Sequence, residues 1–148
     1  MIQDLNSILT ELGTVLIGSG SPIKGYDIYL AERPTQPGKA DYPWVDILAL
    51  EQTYNYDITT LTIIETDIVL RIYSKATDPS TSSLLASQEE LNDVRDWIVD
   101  TITSYAHSEP GTYMWWRLLS SSRIYLEKSS KDASVVDIFC KVQYRRNR

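Results

Sequence analysis

The chain has 148 residues, of which 43% are hydrophobic and 23% are charged, a composition typical of one globular domain with its own core. Its net charge of −6 and isoelectric point of about 4.7 disfavour general binding to nucleic acid, because phosphate contacts call for a basic surface. The single cysteine excludes an internal disulfide, and no apolar run approaches the roughly 20 residues that a membrane-spanning helix needs.

The first part of the chain predicts a helix, a short strand and a long loop. Apolar residues at helical spacing run through residues 2–17 and stop at Gly18. The alternating segment Tyr26–Leu30 predicts the first strand. Residues 32–43, ERPTQPGKADYP, are rich in Pro, Gly and charge, so we expect a loop that is either flexible or ordered by a partner.

Two long stretches rich in β-branched and aromatic residues follow, Trp44–Tyr56 and Thr59–Lys75. The second is longer than a typical strand, so either it bends at a bulge or the hairpin projects from the body. One of its faces is apolar, and the other mixes apolar and charged residues: Leu61, Ile63, Glu65, Asp67, Val69, Arg71 and Tyr73. This mixed face is either a contact with another subunit or a surface covered by the same chain, for example by the first helix.

The second half predicts a helix and two further strands. Residues 78–107 carry an apolar stripe at helical spacing, and Tyr113–Lys128 predicts a strand. The closing strand has one apolar face, formed by Val136, Ile138, Cys140, Val142 and Tyr144. The predicted fold is a single α+β domain over residues 1–148, in which two amphipathic helices pack on one face of a mostly antiparallel sheet of about five strands.

The sequence offers no constellation that supports an enzyme. His107, the one histidine, falls at the end of the second helix, where a surface role is common, and the acidic residues of that helix are typical of a solvated face. Cys140 lies on the apolar side of its strand and is expected to be a buried, unreactive thiol. We therefore predict no catalytic residue, no metal ligand and no cofactor.

Surface character points instead to protein contacts. Ten tyrosines and four tryptophans stand against one phenylalanine, and Tyr and Trp are enriched at protein interfaces. The candidate interface residues come from the mixed face, from the loop and from the arginine-rich end: Glu65, Asp67, Arg71, Tyr73, Arg33, Lys39, Arg145 and Arg146. The terminal arginines fit either a partner contact or the solvated charges that protect a strand edge.

The order and style of these elements resemble a known family. The segments that carry the resemblance are MIQDLNSILTELGTVL, RPTQPGKADYP before a long strand, TDIVLRIYSK leading into LNDVRDWIVDTI, and the closing RIYLEKSSKDASVVDIFCKVQYR. On these segments the chain resembles the tail terminator (tail completion, head–tail joining) proteins of long-tailed bacteriophages. The resemblance spans nearly the whole chain, but it is one of architecture, and no functional residue transfers by identity.

The resemblance implies a structural virion protein that is assembled in the host cytoplasm and located in the tail and neck region. It implies a homohexameric ring that caps the tail tube, ends tail growth and meets the head-side connector, with DNA passing through the bore without specific binding. A head-completion or connector-adaptor protein of the neck is one alternative. A small-molecule or peptide-binding module with the same layers is another, and it predicts a monomer with a concave pocket.

Overall fold

A computed structural model describes residues 5–30, 44–58, 61–74, 81–108, 115–126 and 134–147. The predicted loop at 32–43 lies outside these ranges. The elements are α1 (Leu5–Leu16), β1 (Asp27–Tyr29), β2 (Trp44–Ile58), β3 (Leu61–Tyr73), α2 (Thr81–Ser108), β4 (Trp115–Ser121), β5 (Tyr125–Leu126) and β6 (Ser134–Asn147).

The strands form one mostly antiparallel sheet in the order β1-β2-β3-β6-β4, and β5 pairs with β6. Only β1 pairs in parallel, with the start of β2. The α+β prediction is confirmed. The described part of the chain has six strands rather than about five, because the predicted strand at 113–128 is divided into β4 and β5 by residues 122–124.

Both helices cover the same face of the sheet, where the predicted apolar stripes meet. Each helix contributes four buried side chains to one cluster with the inward residues of β2, β3 and β6; the helical members are Ile8, Leu9, Leu12, Leu16, Leu91, Val94, Ile98 and Ile102. Burying one such side chain stabilises the fold by about 1.5–3 kcal/mol. The mixed face of β3 is therefore not covered by α1.

Local chemistry explains how α1 lies close to the sheet and where it ends. A Cβ atom on Gly13 would lie 3.5 Å from Cγ2 of Ile28, so the small residue permits close packing over β1. At the end of the helix, the Ser21 hydroxyl donates to the carbonyl of Leu16 and accepts from the amide of Ile23 at 3.1 Å. The first bond satisfies a carbonyl that the helix end leaves open.

The two central strands, β3 and β6, pair without a register shift from Leu61↔Asn147 to Tyr73↔Val135. The hairpin of β2 and β3 therefore does not project alone, because β6 lies beside β3 along its whole length. The irregularities occur in β2 instead, between Ala49 and Gln52 and between Tyr56 and Ile58. Such bulges bend a strand and increase its twist locally.

Candidate subunit interface

The sheet face opposite the helices, called here the open face, consists of cross-strand rows. In the first row Trp44 of β2 lies beside Tyr73 of β3, which lies beside Val135 of β6. The Trp44 and Tyr73 rings stack with centroids 4.2 Å apart, and Tyr29 and Tyr125 pack against this cluster. Tyr73, predicted as an interface residue, is thus buried within its own chain.

The second row alternates acid, base and acid. The strand register places Arg71 between Asp46 on one side and Asp137 on the other. Arg71 Nε donates to Asp137 Oδ1 at 2.9 Å, and Tyr125 Oη donates to Asp137 Oδ2 at 3.1 Å. The hydrogen bond to Asp137 raises the pKa of the Arg71 guanidinium above its already high ordinary value, although partial burial opposes this rise.

The third row is apolar, and the fourth is charged again. Leu48, Val69 and Phe139 lie side by side; Val69 is buried, whereas its two neighbours are half-buried. Beyond them, Lys141 Nζ lies 3.6 Å from Asp67 Oδ1 and 3.8 Å from Glu65 Oε2. These longer, partly exposed pairs contribute little to stability.

Apart from buried Tyr73, the predicted interface residues fall into two groups. Glu65, Asp67 and Arg71 lie together on the open face, where each has an ionic partner on β6. The backbones of Arg145 and Arg146 pair with Ile63 and Thr62 of β3; the positions of their side chains are outside the described part of the structure, and so are the loop residues Arg33 and Lys39. Whether any of these residues contacts another subunit stays a prediction.

The sheet also has two outer edges that the sequence did not single out. Strand β1 pairs only with Trp44–Asp46, so among the described residues no strand lies against the outer edge of the rest of β2. On the other side of the sheet, β4 pairs with β6 alone within the same described ranges. These segments are called here the β2 edge (residues 47–58) and the β4 edge (Trp115–Ser121).

Both edges expose large apolar side chains. Leu50 and Tyr54 on β2 are 53% and 52% exposed, and Leu119 on β4 is 49% exposed. Leu50 and Leu119 each lie at a register shift, where the extra residue leaves the alternation of inward and outward side chains. The available signal was a break in the period of two, at LAL (residues 48–50) and LL (residues 118–119).

Metal ligands and the one thiol can be assessed on the described residues. Across the ranges that the structure covers, no group of three His, Cys, Asp or Glu side chains is placed to hold a metal ion. Cys140 is buried, and burial raises the pKa of its thiol to about 12, which makes the thiolate scarce at neutral pH. Over the described residues, neither helix is long and apolar enough to cross a membrane.

Comparisons with models of known protein families and with curated proteins find no match for this chain. The resemblance to tail terminators therefore rests on the sequence features alone. What the geometry adds is an α+β sheet with its helices on one side, ion pairs and a half-buried apolar row on the other, and two edges.

Proposed function

We propose that the chain is a structural virion protein of a long-tailed bacteriophage, which forms a ring on the tail tube, ends tail growth and joins the tail to the head-side connector. The resemblance supplies the class of protein. The architecture supports it, because an α+β layer with both helices on one face leaves a second face and two sheet edges for contacts with neighbours. The proposed partners are further copies of the chain, the tail tube protein and a connector or neck protein.

The observation that carries the proposal is the composition of the open face. Leu48 and Phe139 are half-buried and lie between two rows of ionic groups, the row of Arg71 and the row of Lys141. An apolar strip flanked by charged pairs is typical of a specific protein contact, in which the strip provides affinity and the charges fix the orientation. In the proposed assembly this face is available to a neighbouring virion protein.

The acidic balance suits the proposed bore. Each chain carries a formal charge of −6, so a closed ring multiplies a negative field around its axis. Because DNA is also negative, this field lowers the attraction that would hold DNA inside the ring. The proposed ring therefore lets DNA pass without specific binding.

The test combines the mass of the purified chain in solution with negative-stain images of the chain alone and mixed with tail tubes. We expect rings of about six subunits, each of 16.9 kDa, or caps on tube ends. Rings that bind the head-side connector and ignore tubes would replace the proposal with a connector-adaptor function. A monomer that ignores both would overturn it in favour of a binding module.

A further inference from the structure

The two outer edges of the sheet have opposite strand directions. Strand β2 is antiparallel to β3, β3 to β6, and β6 to β4, so β4 runs opposite to β2. When copies are related by rotation about an axis along the strands, the β4 edge of one copy meets the β2 edge of the next in the antiparallel sense. An exposed edge offers the unpaired N–H and C=O groups that such pairing satisfies.

The charges of the two edges are complementary. The β2 edge contains Glu51 and Asp57 and no basic residue, whereas residues 115–124, the β4 edge and the three residues after it, contain Arg117 and Arg123 and no acidic residue. Glu51, Arg117 and Arg123 are exposed. Pairing β2 with β2 would oppose like charges, and so would pairing β4 with β4. Pairing β2 with β4 opposes unlike charges, which selects this arrangement.

The exposed apolar residues fit the same arrangement. Leu50, Tyr54 and Leu119 lie on or beside these edges, and the described residues hold three other large hydrophobic side chains with comparable exposure: Ile17, Leu30 and Val99. A strand added to an edge covers the side chains of the edge strand as well as its backbone. Both edges therefore lose exposed apolar area in one contact.

We infer that copies of this chain join head to tail, the β2 edge of one copy pairing antiparallel with the β4 edge of the next. The partner is a second copy of this chain, and the contact is heterologous, so it repeats around a ring. The inference deepens the proposed function and rests on its self-assembly. It assigns the subunit contact to the sheet edges, and it leaves the open face for the neighbours above or below the ring.

Cysteine crosslinking tests the arrangement with the full chain. The variants are Tyr54→Cys, Leu119→Cys and the double variant, treated with a short bismaleimide whose reach tolerates a register offset of a residue or two. The wild type, whose only cysteine is the buried Cys140, is the blank. We expect a ladder of covalent oligomers from the double variant, dimers from a mixture of the two single variants, and no crosslinking of either single variant alone.

The failures of the two proposals give different results. If wild-type mass and images show rings but the double variant gives no ladder, the edge contact is wrong and the ring survives. If each single variant crosslinks with itself as readily as with the other, the edges pair isologously and the inference is overturned. If the wild type does not assemble and the double variant gives no ladder, both proposals fail together.

A charge exchange provides the second measurement. Glu51→Lys and Arg123→Glu should each weaken assembly by about fivefold, roughly what one exposed ion pair contributes, and the combined variant should recover most of that loss. The matched control is Glu89→Lys on the exposed surface of α2, which makes the same charge change away from both edges. An equal effect of Glu51→Lys and Glu89→Lys would overturn the edge contact.

Discussion

The ion pair of Arg71 and Asp137 allows a quantitative test of how the open face is held together. Replacing Arg71 with Met keeps most of the apolar stem and removes the guanidinium. The Asp137 carboxylate then loses its 2.9 Å ionic bond and keeps the hydrogen bond from Tyr125. We expect Arg71→Met to destabilise the fold, because Asp137 loses its ionic partner and the register keeps buried Asp46 and Asp137 on the two sides of a position that no longer carries a cation.

The magnitude follows from the exposure of the two side chains. An exposed ion pair contributes about 0.2–1 kcal/mol, and removing one partner of a fully buried pair costs about 3–5 kcal/mol. The side chain of Arg71 is 30% exposed and that of Asp137 is 11% exposed, so the pair lies between these limits. We expect a loss of about 2 kcal/mol in the free energy of unfolding.

The assay is urea unfolding of the wild type, Arg71→Met, Asp137→Asn and the double variant, at one protein concentration because self-association shifts apparent stability. Lys141→Met is the matched control, since its contacts are 3.6 and 3.8 Å long and we expect it to cost less than about 1 kcal/mol. The reasoning is refuted if Arg71→Met costs no more than Lys141→Met. It is also refuted if the two single changes add to within about 0.3 kcal/mol, because coupled residues are not additive.

Three further predictions concern the other face and the helices. Gly13→Ala should stabilise the fold by about 0.5–1 kcal/mol, because the new methyl group meets only ordinary contacts. Gly20→Ala should instead destabilise the fold by about 1 kcal/mol, because Gly20 has φ of 82°. Thermal unfolding measures both variants, and stability changes of the same sign would contradict this contrast between the two glycines. Tyr26→Phe should cost about 1 kcal/mol at pH 8, because it removes the hydrogen bond to Glu90. Burial and Glu90 raise the pKa of Tyr26 above its ordinary value of 10.0, so the stabilising contribution of the hydroxyl is complete below pH 10 and is lost as pH rises further. A stability difference between wild type and variant that does not shrink above pH 10 would contradict this prediction. Burial raises the pKa of the Cys140 thiol from 9.0 to about 12, so its stabilising contribution should be present below pH 9 and decline between pH 9 and 12. The thiol should react with Ellman's reagent only as fast as the protein unfolds. Prompt reaction of the native protein at pH 8 would show that the thiol is accessible.

The inner face of the sheet could be predicted because it follows a strict period. In β6, residues 136, 138, 140, 142 and 144 are all buried, and the even residues of β3 from 62 to 72 behave in the same way. A period of two against a helical stripe is a strong signal, since each mismatch would bury a polar group or expose an apolar one. The same signal fixed the α+β class before any strand pairing was known.

The open face was predicted only in part, because the partners of its charged side chains depend on which strands pair in the sheet. The sequence showed that Glu65, Asp67 and Arg71 share a face, but it did not show that β6 supplies Lys141 and Asp137 as their partners. These partners are about 70 residues away along the chain, and a pattern of period two carries no information about register between distant strands. Charges that suggested a subunit contact are therefore also explained by contacts inside the chain.

The edges were missed for a related reason. Leu50 and Leu119 lie at register shifts, where a period of two does not specify which face a residue occupies, and both are exposed in the structure. Whether a strand is central or outermost also depends on the order in the sheet, which sequence periodicity does not specify. The outermost position of β4, beside the last strand of the described chain, is such a case.

The uninterrupted pairing of β3 with β6 has a consequence for how the protein is made. The two strands that form the middle of the sheet are separated by α2, β4 and β5, so the central contact closes a long loop and belongs to the slow class of folding events. During synthesis the β2–β3 hairpin emerges well before residues 134–147, and until β6 is added one side of β3 is an open edge. A nascent chain in that state is prone to pair with other chains, so folding yield should depend on how quickly the last strand follows.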